Sequence, residues 1–113
     1  MHELGIMFSI VDQVLELVRE KELSEVESIV LEVGAMSSVV PDYLTSCFPT
    51  AAAGTMLEKT ELRIEKLPAV GRCRGCGMEY NVAEHRGLCP DCGGNDLELL
   101  SGREFNIKEI IAR

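Results

Sequence analysis

Tryptophan is absent from this chain of 113 residues, aromatics make up only 4% of it, and it holds just two histidines. A core without large rings has to be aliphatic, and the 46% hydrophobic content can supply one. With so few histidines, most hydrolytic and acid–base designs lack their usual residues, and no Ser, His and Asp arrangement or Gly-rich phosphate loop is legible. Basic residues are also scarce. Eleven Lys and Arg stand against nineteen Asp and Glu, a net charge of −8, which argues against a surface for phosphate backbones, since such surfaces rest on clustered Lys and Arg. No apolar run approaches the roughly 20 residues of a membrane span, and Met1-His2-Glu3 lacks the basic start of a secretory signal. The expectation is a soluble, cytoplasmic protein that partners neither nucleic acid nor membrane.

Cysteine is what the chain does have, in a pattern. Cys73-Arg74-Gly75-Cys76 and Cys89-Pro90-Asp91-Cys92 are separated by twelve residues. Two tight turns at that spacing can aim four thiolates at one centre, as in a closed tetrahedral structural zinc site. Gly77 and Gly93 follow each second cysteine, where the turn calls for φ > 0 at little steric cost. Two disulfides or a redox dithiol are the rival readings; the missing secretory signal and the strain of a bridge within Cys-x-x-Cys count against them. A module this short does not fold without its metal. Between residues 70 and 93, Arg72, Arg74 and Arg86 balance Glu79, Glu84 and Asp91, so the module is not a basic, nucleic-acid-reading ribbon.

Around the module the periodicities alternate. Leu4, Met7, Phe8, Val11, Val14, Leu15 and Val18 recur at helical spacing and predict a helix from about Gly5 to Lys21. Ile29, Leu31 and Val33 predict a strand ending at Gly34. Pro41 suits the first position of a second helix, with Leu44, Cys47, Phe48 and Ala51 inward and a kink or early stop at Pro49. Leu62 and Ile64 mark a strand stopping at Leu67-Pro68; Phe105, Ile107, Ile110 and Ile111 mark a terminal one. The fold class is therefore α+β: a small mixed β-sheet with two α-helices, plus an inserted, zinc-ribbon-like four-cysteine module. The expected division is a domain of residues 1–69 with 101–113, and a zinc-binding domain of residues 70–100.

The start of the chain is the second candidate site. His2 is not small, so Met1 is expected to keep its place and its free amine. That amine, the His2 backbone nitrogen and the His2 imidazole can close two chelate rings on one ion. With the amide deprotonated by the metal, such a set favours square-planar nickel(II) or copper(II). Two arrangements fit: a fourth ligand from Glu3 or from outside, or the Glu3 amide nitrogen in a row of three backbone nitrogens, with the imidazole opposite the His2 nitrogen.

Met1-His2-Glu3-Leu4, Val33-Gly34, Gly54-Thr55, Cys73-x-x-Cys76 and Cys89-Pro90-x-Cys92-Gly93, in that order and spanning nearly the whole chain, resemble the HypA/HybF family of hydrogenase-maturation nickel metallochaperones. The resemblance implies a nickel carrier rather than an enzyme, delivering Ni(II) to [NiFe]-hydrogenase and in some cases urease. It implies the GTPase HypB and a hydrogenase large subunit as partners. Carried over residue by residue, it assigns nickel to Met1 through its amine, His2 and Glu3, and one structural zinc per chain to Cys73, Cys76, Cys89 and Cys92. The strands that flank the insert on both sides leave two states open, a monomer and a homodimer that exchanges segments. Two rival classes remain: a zinc-ribbon adaptor between proteins without a nickel role, and a thiol oxidoreductase. Cys47 reads as a buried hydrophobe and His85 as a solvated loop residue beside the knuckles.

Overall fold

The computed structural model describes residues 2–113. Helix α1 runs His2–Lys21, starting three residues ahead of the sequence expectation. His2 and Glu3 are polar and add nothing to the apolar repeat that marks the helix, yet nothing in them breaks a helix, and Glu3 suits its positive end. Met7, Ile10, Val11, Val14 and Val18 are buried along it. Phe8, assigned to the inner stripe by spacing, is 45% exposed. It lies about 100° around the helix from Met7, on the flank of the buried row. The helix closes in a Schellman turn: Leu23 N–H donates to the Val18 carbonyl at 3.0 Å and Glu22 N–H to that of Arg19 at 3.4 Å. Glu22 takes the left-handed φ of 53° normally given to glycine. Glu22→Gly is therefore expected to raise stability by about 0.5–1 kcal/mol in denaturant titration.

Six strands follow in two sheets: β1 Val26–Gly34, β2 Glu61–Leu67, β3 Val70–Cys73, β4 Glu79–Asn81, β5 Leu97–Ser101 and β6 Phe105–Ala112. Helix α2, Pro41–Ala52, lies between β1 and β2. The first sheet has the order β2-β1-β6. Thr60, just ahead of β2, donates through Oγ1 to the carbonyl of Val26 at the start of β1 at 2.8 Å. At the other ends, Ala35 N–H reaches the Leu67 carbonyl at 2.9 Å. These two strands are thus parallel, joined by the α2 crossover. β6 runs the other way, with Glu25 and Arg113 exchanging bonds at one end and Gly34 donating to Glu104 at the other. The sheet is mixed, as expected.

Pro49 does not stop α2, which continues to Ala52. Pro49 and Thr45 both lie on the exposed side, so the carbonyl that loses its N–H partner is left to water and the cost stays small. The inner residues Leu44, Cys47, Phe48 and Ala51 are all buried, as spacing predicts.

Contacts group the chain into two compact units. One holds the stretch ending at Glu32 together with Val39–Glu65 and Asn106–Arg113; the other holds Val33–Ser38 and Lys66–Phe105. In the first, α1 packs on α2, and Met7, Ile29, Leu31, Leu44 and Leu57 are completely buried. In the second, β4-β3-β5 form an antiparallel sheet over a small core of Ala69, Cys73, Tyr80, Val82 and Cys89, with Leu97 and Leu99 against it.

Gly34 shows why glycine stands there. A Cβ on it would land on the Gly102 carbonyl, backbone that cannot rotate away, and one on Gly102 would sit 2.6 Å from Ala69 Cα. Gly34→Ala is expected to cost about 1–3 kcal/mol in thermal unfolding, as overpacking does, and more if the seam opens.

Candidate metal centres

The first knuckle is the end of β3 turned back on itself and the second a turn between β4 and β5, and the same two bonds close each. Gly77 N–H donates to the Cys73 carbonyl and Cys73 N–H to that of Met78, both at 2.8 Å; Gly93 N–H donates to Cys89 at 2.8 Å and Cys89 N–H to Gly94 at 2.9 Å. Gly77 and Gly93 have φ of 81° and 75°, the left-handed geometry their position demands. Gly94 does a second job the sequence reading missed. A Cβ on Gly94 would lie 3.3 Å from the Cys92 sulfur, a tight approach that bare backbone avoids, while one on Gly75 would meet the Cys73 sulfur at an ordinary contact distance of 3.6 Å.

The four sulfurs converge. All lie within 4.8 Å of one another, with Cys73 and Cys92 3.5 Å apart and Cys76 and Cys89 3.5 Å apart. An ion held by four sulfurs at about 2.3 Å needs sulfur separations of about 3.8 Å, so the cluster fits a tetrahedral metal with little adjustment. The short pairs run between knuckles, not within a Cys-x-x-Cys, and all four thiols are free. That is the arrangement of a metal cage and not of a redox dithiol. Cys73 and Cys89 are buried while Cys76 and Cys92 are exposed.

The thiols divide by their donors. Amides of Cys76 and Gly75 point at the Cys73 sulfur and bring its pKa down to about 7; those of Cys92 and Asp91 lower Cys89. At Cys76 the Met78 amide pulls the same way, but proton sharing with Cys89, burial and the other sulfurs outweigh it and push the thiol up to about 12. Cys92 is also raised: the Gly94 amide opposes, and proton sharing with Cys73 prevails. An arriving divalent ion must therefore displace protons, chiefly those of Cys76 and Cys92. Its binding is expected to release protons near neutral pH and to weaken as pH falls. Calorimetric titration in buffers of different ionisation enthalpy counts the protons released.

Tyr80, which the sequence reading passed over, closes the inner side. It is buried at 6% exposure, donates its hydroxyl to the Gly87 carbonyl at 3.2 Å, and sits edge-on to His85 with ring centres 6.0 Å apart. Arg72 lies between Glu79 and Glu98, and Arg74 beside Asp96. Such exposed pairs add little stability, but they break up any continuous basic face among the described residues.

At the other candidate site, Met1 lies outside the described residues, so the structure describes two of its three assigned residues. His2 is exposed as the first residue of α1. Being in the first turn, the His2 and Glu3 amides have no carbonyl four residues back to bond. They are thus free to lose their protons to a metal. Glu3 is half-buried, and its carboxylate accepts from the Val40 N–H at 3.3 Å.

A two-part α+β chain with four convergent cysteine sulfurs in one unit defines a candidate metal-binding protein. The comparisons narrow that class. The family model described as HypA, hydrogenase/urease nickel incorporation, metallochaperone, matches residues 1–112, and the chain belongs to that family. The Hydrogenase maturation factor HypA of Streptomyces avermitilis is 40% identical over 112 residues, covering 97% of this chain and 86% of that protein. The protein of the same name from Nostoc punctiforme is 40% identical over 110 residues, covering 97% and 94%. The solution structure of the Ni metallochaperone HypA from Helicobacter pylori shares the fold, with a TM-score of 0.64 at 19% identity over 97% of this chain and 96% of that one. No helix among the described residues is long and apolar enough to cross a membrane.

Proposed function

We propose that this chain carries Ni(II) on the amine of Met1, on His2 and on Glu3, and delivers it during maturation of [NiFe]-hydrogenase, and of urease where one is served. Cys73, Cys76, Cys89 and Cys92 hold one zinc, which cross-links the two knuckles and fixes their unit as a docking surface. The unit that starts with α1 is the nickel domain and the cysteine-bearing unit the zinc domain. The GTPase HypB and a hydrogenase large subunit are the partners in delivery, and the work is done in the cytoplasm. The observation that carries this reading is the family match over residues 1–112, which takes in the N-terminal tripeptide and all four cysteines together.

The cargo site has to let go as well as hold. Amine, imidazole and amide nitrogens all exchange the ion for protons, and a client offering soft thiolates provides a stronger sink. Nickel titration of the zinc-loaded protein tests the reading, with wild type, His2→Ala and a form extended ahead of Met1 compared side by side. Undiminished binding in both altered forms would eliminate the N-terminal site and leave an adaptor built around zinc.

A further inference from the structure

Helix α2 begins without a cap of its own. Its N-cap residue is Val40, which has no side chain able to accept from the first turn, and Pro41 follows. In many helices the N-cap N–H is bonded by a Glu three residues further along the same helix. Here the bond comes from another helix. The Val40 N–H donates to the Glu3 carboxylate, 37 positions away in sequence, so the starts of α1 and α2 lie together. Both ends are positive, and Glu3 and Asp42 are the acidic residues of their first turns.

This placement separates the two functional parts of Glu3. Its carboxylate is turned sideways onto α2, while its backbone nitrogen, like that of His2, lies at the open end of α1. We propose that Glu3 is a positioning residue for nickel capture: its carboxylate stays on the Val40 amide and pins the front of α1, so that the nitrogens ahead of it can wrap an ion without the helix behind it fraying. The proposal rests on the reading that nickel binds at the N-terminus. It also accounts for a geometric need. Consecutive amide nitrogens of an α-helix point along its axis and do not converge, so His2 and Glu3 must leave helical dihedrals to chelate one ion. A pinned third residue sets where that unwinding ends. It also commits the only carboxylate of the tripeptide, leaving an all-nitrogen donor set, which selects planar nickel(II) over oxygen-preferring divalent ions.

Two changes break the tether from opposite sides. Glu3→Gln weakens the acceptor and removes its charge; Val40→Pro deletes the donor and leaves Glu3 intact. The Val40 φ of −96° lies near the proline range, and its carbonyl still accepts from Tyr43 and Leu44. In the metal-free protein, hydrogen exchange at the Ile6, Met7 and Phe8 amides, the first that helix geometry pairs within α1, is expected to quicken in both variants. In zinc-loaded protein titrated with nickel sulfate, both are expected to bind about fivefold more weakly, the effect of losing a cap, with the ligand-field spectrum of the bound nickel unchanged. A spectrum altered by Glu3→Gln would make the carboxylate a donor and overturn the proposal. So would Val40→Pro with exchange and affinity at wild-type values. Loss of the N-terminal nickel site itself would show in His2→Ala, whereas the exchange measurement judges the tether without any nickel present.

Discussion

Removing the metal from the four-cysteine site is expected to unfold the unit built from Val33–Ser38 and Lys66–Phe105 while leaving α1 helical. The core there consists of five buried residues, and two of them, Cys73 and Cys89, are themselves ligands. So little apolar surface cannot offset the ordering of some 45 residues at roughly 1–2 kcal/mol each. A structural zinc contributes on the order of 10–16 kcal/mol in small modules of this kind, which makes the ion the largest single stabilising contact in the unit. Adding a strong chelator should abolish amide protection at Arg72, Glu79 and Leu97, while the α1 amides around Val11 and Val14 stay protected. Cys73→Ser should weaken metal binding by more than the roughly 100-fold that outer-shell changes cost, because it deletes a buried ligand held by two amides. Retained protection across β3-β4-β5 in chelator would show that packing alone suffices.

The second large effect is expected at the opposite chemical extreme, where the ligands are nitrogen and the ion is cargo. His2→Ala removes the imidazole, and with it one chelate ring. Adding several residues ahead of Met1 moves the free amine out of reach of either arrangement of donors, whereas a single added residue would leave an amine, two amides and the His2 imidazole still able to close a planar set around the ion. Each change should lower nickel affinity by at least about tenfold, since a lost donor in a four-coordinate site costs more than one 1.4 kcal/mol step. Neither should shift the thermal unfolding midpoint appreciably, because His2 is exposed at the tip of α1 and no part of the core. Isothermal titration on zinc-loaded protein gives the affinity, and calorimetric melting of the same samples checks that the fold is untouched.

Much of this could be read from residues. The cysteine spacing and the glycines at 77 and 93 specify the knuckle geometry, because so few backbone paths bring four sulfurs together. The inner face of α2 and the ends of β1 and β2 follow from apolar period and from proline and glycine punctuation. What escaped has physical reasons. β3 and β4 are four and three residues long, too short for an alternation to rise above chance, and their pairing is dictated by the cage. Phe8 fits a helical period without being inside, since period alone does not fix the edge of a buried face. The front of α1 hides in polar residues that carry no periodicity. The contact between Glu3 and Val40 depends on two helix starts meeting in space, and no local pattern announces it.

The seam at Gly34 bears on whether the sulfur-lined module can be moved elsewhere. Its loop of residues 33–38 is held by backbone bonds from Gly34 to Glu104, Ala35 to Leu67 and Met36 to Gly102. A protein engineer excising only 66–105 for grafting would strip three carbonyls of their donors and expose the flank those bonds cover. A portable cassette therefore has to bring the 33–38 segment along, or replace it with an equivalent edge, before it can be expected to behave as a free-standing part.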